Sequence, residues 1–183
     1  MGAERLIATG AVVVLVAAVA GCKSGSETTP ADVGADAVAG DAATVEWVND
    51  GDTLTLEGGQ RVRLVQVDAP ELDTDCYGRP ALRALIGLTP KGTRVVLVRD
   101  PALDDRDQHG RLLRYVFVGE QNVNVELVER GAASPYYFRN DRGRYADELD
   151  DAVDGARADR AGYWGACPRA ELNPGLGSVT GPA

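Results

Sequence analysis

A chain of 183 residues with 19 Lys and Arg against 28 Asp and Glu carries a net charge of −9, which weighs against, without defeating, the binding of a polyanion, whose non-specific binders usually carry a basic footprint. Its single histidine, His109, excludes two-histidine acid–base chemistry and any His-rich zinc centre. The length accommodates one domain with flanking segments.

In chain order, Arg5 precedes an apolar run from Leu6 to Ala20, interrupted by one Thr and one Gly. The run is shorter than the roughly 20 apolar residues that a membrane span needs. It has the form of a signal-peptide apolar region ending in small residues. Val19-Ala20-Gly21-Cys22 resembles the lipobox of bacterial lipoproteins. That resemblance implies a cleaved segment 1–21, lipid on Cys22, and export to the outer face of the cell membrane. The alternative is an ordinary secretory signal with an incidental cysteine. The stretch 23–43 is rich in Ser, Thr, Gly, Ala, Asp and Pro and lacks aromatic residues, so 22–43 is expected to be a flexible tether. The folded domain is then expected over 44–168, followed by a disordered tail at 169–183.

Within that domain, Val45–Val48, Thr53–Leu56, Val62–Val67, Val95–Val98 and Leu113–Val118 are short, β-branched runs. Asn49-Asp50-Gly51, Gly58-Gly59, Lys91-Gly92 and Gly119-Glu120 punctuate them as turns. Helices are expected at Arg79–Ile86, Val123–Arg130 and Arg142–Ala161. Gly131 acts as a stop, and Tyr145, Leu149, Ala152, Ala156 and Ala161 form one buried face of the last helix. The count predicts an α+β, mainly β fold: a five-stranded Greek-key barrel of the OB type with about three packed helices. With Cys22 set aside, Cys76 and Cys167 read as one disulfide in an oxidising compartment, or alternatively as two buried thiols.

Between Thr44 and Glu171 there are 17 cations against 23 carboxylates, and 16 of the cations are arginine, the side chain best shaped for bidentate phosphate contacts. Asp147-Glu148-Leu149-Asp150-Asp151 reads as a solvated helix face. Asp52 and Asp68 fall near the ends of successive strand-like runs, where two carboxylates, a carbonyl and waters suit a hard cation such as Ca²⁺ or Mg²⁺. Taken singly, Asp50-Gly51-Asp52-Thr53 is a common turn, and an outward strand arginine is the commoner reading of Arg63.

As an ordered set the motifs are far more specific. Arg63-Leu-Val-Gln-Val-Asp68-Ala69-Pro70-Glu71, Gly78, Asp107-Gln108-His109-Gly110-Arg111, Val123-Asn124, Leu127-Val128, Gly131 and Gly162-Tyr163-Trp164 resemble the thermonuclease (staphylococcal-nuclease-like) family in order and spacing. The resemblance covers Val45 to Trp164. It implies catalytic roles for Arg63, Glu71 and Arg111, and a Ca²⁺ site of Asp52, Asp68 and the Ala69 carbonyl. It further implies cleavage of DNA and RNA to 3′-phosphate ends, by a chain expected to be a monomer. Ala69 stands where the family often has threonine, a change of little weight if only the carbonyl ligates. Gln108 and His109 replace a lysine and a tyrosine that contact phosphate in relatives, so affinity and salt dependence should both fall. Tyr136, Tyr137 and His109 are candidate substrate contacts. For Tyr136-Tyr137-Phe138 the competing reading is a core role, and for His109 a plain surface loop. The Cys76–Cys167 link is expected to pin the Glu71 loop to the end of the last helix. Two other functions stay open: a non-catalytic OB-type binding module and a calcium-binding envelope lipoprotein.

Overall fold

The computed structural model describes residues 38–182. The segment 1–21, Cys22 and the tether up to residue 37 lie outside the described residues. Strand β1 (Asp41–Val48) starts three residues before the expected domain boundary. Asp41 to Thr44 pair antiparallel with Leu97 to Arg94 of β5 (Arg94–Val98), so the end of the expected tether belongs to the sheet. β1 turns through Asp50-Gly51 into β2 (Thr53–Leu56), all four residues of which are buried. β3 (Arg61–Leu64) follows. A register shift between Val45 and Trp47 bends β1, as a bulge does at a barrel corner.

The run Val62–Val67 is not one strand. β3 ends at Leu64, and Gln66 takes a left-handed φ of 61°. The two-residue β4 (Val67–Asp68) then pairs with β8 (Ser134–Pro135). β5 and β6 (Leu112–Val118) are antiparallel neighbours. β3 closes on β6 in parallel, Arg63 opposite Leu113. The order β3-β2-β1-β5-β6 with that closing pair is a five-stranded mixed barrel of the OB type, extended at one edge by the short β7 (Gln121–Asn122).

Three helices cover the barrel. α1 (Gly78–Leu88) buries Gly78, Ala81 and Leu85 on one face. α2 (Val123–Glu129) is capped by the Asn122 side chain, and α3 (Ala146–Ala158) buries Ala146, Leu149, Ala152, Val153 and Ala156. Asn124 is wholly buried and staples α2 to the barrel. Its Oδ1 accepts from Val116 N at 2.9 Å, and its Nδ2 donates to Val65 O at 2.8 Å. Gly131 ends α2 with φ +60°, and a Cβ there would stand 2.2 Å from the Ala161 carbonyl. Only glycine meets both demands.

α3 begins four residues later than its pattern promised. A Cβ on Gly143 would meet Tyr115 Oη at 2.4 Å and Asp100 Oδ2 at 2.7 Å, so Gly143 is a packing point. α3 stops at Ala158, short of the expected Ala161, and the one-turn α4 (Tyr163–Ala166) follows. The largest departure is the tail. Residues 169–182 are not disordered: β9 (Glu171–Asn173) and β10 (Gly177–Val179) form an antiparallel hairpin.

Cys76 and Cys167 are joined, 91 residues apart, and link the loop before α1 to the end of α4. Reduction is expected to lower stability by roughly 4–5 kcal/mol for a loop of this length. Urea unfolding with and without reductant measures it.

Candidate active site

The turn between β1 and β2 presents Asp52. Asn49 N donates to Thr53 O at 2.8 Å, and Asp52 N donates to Asp50 Oδ1 at 3.1 Å. A Cβ on Gly51 would sit 2.5 Å from the Ala69 methyl, so that glycine lets the turn press against the residue after Asp68. Thr53 faces Arg63 in the β2–β3 register. The Arg63 guanidinium thereby lies between the carboxylates: Nε to Asp52 Oδ1 at 3.1 Å and Nη2 to Asp68 Oδ1 at 2.8 Å. Its Nη1 donates to the carbonyls of Leu64 at 2.8 Å and Val67 at 2.5 Å. The Arg63 and Asp52 side chains are only 13% and 10% exposed. Arg63 is therefore an inward, ion-paired group that also reaches the cleft, not an outward strand residue.

Barrel closure brings in the second arginine. Arg111 precedes β6, whose parallel pairing with β3 sets Arg63 opposite Leu113. Arg111 Nε donates to Asp107 Oδ2 at 2.5 Å, and Nη1 donates to Thr53 Oγ1 at 3.1 Å. Thr53 Oγ1 in turn donates to Asp52 Oδ1 at 3.0 Å. One chain of hydrogen bonds thus runs Asp107–Arg111–Thr53–Asp52–Arg63–Asp68. Thr53 and Asp107 had appeared in sequence only as parts of motifs, with no role of their own. Burial works against ionisation of Asp107, but hydrogen bonds from Arg111 and from the His109 backbone outweigh it and lower its pKa.

Burial pushes the Asp52 carboxyl up to about 7, against Arg63 and with the help of Asp50 and Asp68. Asp68 is raised as well, again chiefly by burial and against Arg63. Burial also opposes the charge on Arg63, yet Asp52 and Asp68 prevail and hold it protonated. Glu71 is exposed, on the loop after β4. Its backbone N donates to Asp75 Oδ2 at 3.1 Å, and its carbonyl accepts from Asp75 N at 3.1 Å. Partial desolvation raises its pKa, followed by the charges of Asp68, Asp50 and Asp75, with Arg63 opposing. Glu71 therefore sits within the field of the Arg63 cluster as a carboxylate of increased basicity.

A cleft of about 400 Å³ opens beside this network, and Arg63, Arg111, His109, Tyr136 and Phe138 are among its lining residues. Glu71, Asp52, Asp68 and Tyr137 are not. The structure separates the aromatic run. Tyr137 is 5% exposed, and its hydroxyl donates to Ala146 O at 2.9 Å and Asp150 Oδ1 at 2.7 Å. Tyr137, expected as a substrate contact, is instead packed in the core with its hydroxyl on α3 and does not line the cleft. Phe138, 53% exposed, lies on the cleft with the Arg139 guanidinium 4.8 Å over its ring. Gln66 fixes this segment: its carbonyl accepts from Tyr136 N at 2.9 Å, and its amide spans Asp141 O and Gly143 N. Tyr137→Phe is expected to cost about 1.5–3 kcal/mol, the range for a hydrogen bond to a charged group, with KM unchanged. Phe138→Ala should raise KM with stability unchanged. Melting curves and steady-state kinetics on both variants separate the roles.

The donor set fits a hard divalent cation. Among the described residues Asp52 Oδ2 accepts only from Ala69 N at 3.0 Å, and Asp68 Oδ2 only from Ser178 N at 2.8 Å, which leaves lone pairs on each. Asp50, Asp52, Asp68 and Glu71 crowd one buried guanidinium, an excess of negative charge that a dication relieves. Among the described residues no three acidic, His or Cys side chains converge on one point.

An OB-type barrel with paired carboxylates and two guanidiniums at its seam defines a phosphate-directed class of site. The family model described as staphylococcal nuclease homologue matches residues 61–166, and the chain belongs to that family. A thermonuclease of Staphylococcus intermedius is 36% identical over 117 residues, 58% of this chain and 67% of the relative. Protein ParB of Escherichia coli is 37% identical over 128 residues, 63% of this chain and 67% of the relative. Endonuclease YhcR of Bacillus subtilis (strain 168) is 32% identical over 136 residues, 66% of this chain but 11% of that larger protein.

Proposed function

We propose that this protein is a calcium-dependent nuclease that hydrolyses DNA and RNA phosphodiesters, leaving 3′-phosphate ends. The observation that carries the reading is the hydrogen-bond chain joining Arg111, Thr53, Asp52, Arg63 and Asp68 beside a cleft of about 400 Å³. Family membership and relatives named as nucleases support it.

Asp52, Asp68 and the Ala69 carbonyl would hold Ca²⁺, which supplies Lewis-acid polarisation of a non-bridging phosphate oxygen. Arg63 and Arg111 donate to the oxygens on which charge builds as phosphorus becomes five-coordinate. Their fixed partners hold them in place in advance, where such donors contribute most. Glu71 accepts a proton from the attacking water. The water oxygen bonds to phosphorus, the bond from phosphorus to the 5′ oxygen breaks, that oxygen takes a proton from solvent and leaves as the 5′ hydroxyl, and the phosphate stays on the 3′ side. Phe138 and Tyr136 offer sequence-tolerant base contacts. The Cys76–Cys167 pair supports maturation in an oxidising compartment. Export with a lipid on Cys22, and action as a monomer, complete the proposal.

Digestion of plasmid DNA and of RNA with and without Ca²⁺, by the natural protein and Glu71→Gln, tests this reading. Cleavage that needs both Ca²⁺ and Glu71, with 3′-phosphate ends on the products, is expected. Binding without cleavage by the natural protein would instead identify a non-catalytic OB-type module. Calcium affinity should also weaken as pH falls below about 7, because burial raises Asp52 to about 7 and protons then compete for it. Calorimetric calcium titrations at pH 6 and 8 check the sign.

A further inference from the structure

We propose that the β9–β10 hairpin is a positioning element for the cation site: Ser178 fixes the Asp68 carboxylate, and Gly181 anchors the loop that carries Glu71. The inference rests on the calcium reading of that site. The hairpin lies beyond residues 61–166, the part matched by the family. It forms a two-stranded sheet of its own, outside the barrel.

Asp68 ends a strand of two residues, and Arg63 engages only one of its carboxylate oxygens. That contact alone leaves the carboxylate free to turn about its last torsion. Ser178 removes the freedom. Its backbone N donates to Asp68 Oδ2 at 2.8 Å, and its hydroxyl donates to the Asp68 carbonyl. The same hydroxyl lies 3.3 Å from that of Ser134, the β8 partner of Asp68. Side chain and main chain of Asp68 are thus held together from 110 residues away. Gly177 permits the approach: at φ +87°, a Cβ there would stand 2.4 Å from Asp68 Oδ2.

The far arm holds the other functional loop. Cys76 N donates to Gly181 O at 2.9 Å, and Asp75 bridges to Pro182. Asp75 is the residue that closes on both backbone groups of Glu71. The turn of the hairpin is seated as well, since Tyr137 N donates to Pro174 O at 2.7 Å, and Thr180 is buried. One short hairpin therefore touches the segments bearing Asp68 and Glu71. Holding a ligand in place beforehand raises affinity by removing the cost of ordering it.

The test is calorimetric calcium titration of the full-length protein and of Ser178→Pro, which lacks the N–H donor, with Ser178→Thr as the conservative control. Ser178→Pro should bind calcium about tenfold more weakly, the scale of losing one supporting contact to a metal ligand. Its kcat and KM should return to normal at saturating calcium, and Ser178→Thr should match the natural protein. Unchanged calcium affinity in Ser178→Pro, or an equal loss in Ser178→Thr, overturns the inference alone. If the natural protein binds no calcium, the cation site itself falls and the inference with it. Should Ser178→Pro not fold, Gly177→Ala, which sets one methyl against Asp68, is titrated in its place and read by the same criteria.

Discussion

Arg63→Met is expected to destabilise the cation-free protein by about 3–5 kcal/mol, the scale for removing one partner of a buried ion pair. The guanidinium bridges Asp52 and Asp68 and also satisfies two carbonyls. Methionine fills much of the volume but returns none of those bonds. Asp52, already raised by burial, loses the charge that opposed the rise. The defect should therefore be worse at pH 8, where the natural protein's Asp52 is ionised against Arg63 and the variant's must stay protonated, than at pH 6, where it is neutral in both. Calcium, by replacing the lost positive charge, should restore part of the stability. Urea unfolding at the two pH values, with and without calcium, reads all three effects. Equal stability of the two proteins would mean that the pair is not the buried unit described above.

Glu71→Gln is the second large effect, on rate alone. A general base contributes roughly 10²–10⁴-fold, so kcat should fall by that factor. Calcium affinity should stay within a few-fold, because Asp52 and Asp68 supply the side-chain oxygens. Stability should hardly move, since Glu71 is exposed. The natural enzyme should lose activity as pH falls through a value above that of an ordinary glutamate, because partial desolvation and three neighbouring carboxylates raise this one. The glutamine variant should lack that limb of the profile. An unchanged kcat would remove Glu71 from the reaction.

The barrel was legible in the sequence because its strands are runs of Val, Leu and Thr with turn residues between them, and the barrel core is built from those runs. Breaks inside the runs were not legible. Gln66 looks like one polar residue in a strand, but it takes a left-handed conformation because its amide bonds Tyr115, Asp141 and Gly143, a partnership fixed only by the tertiary fold. The late start of α3 has the same kind of cause, the tight seat of Gly143. In the tail, strands of three residues are too short to display a period. What orders the hairpin is its grip on Asp68 and Cys76, which no local pattern displays. The ordered motifs singled out Asp52, Arg63, Asp68 and Arg111, and the structure joins them in one network. The direction of each aromatic in Tyr136-Tyr137-Phe138 depended on strand pairing, which composition does not encode.

The parallel seam between β3 and β6 has a consequence for when competence arises. Arg63 and Arg111 reach neighbouring places only once that last pairing forms, so a fragment holding either one owns no fraction of the chemistry. In the proposed reaction both guanidiniums must meet one phosphate, so cleavage is expected only from chains in which that seam is closed.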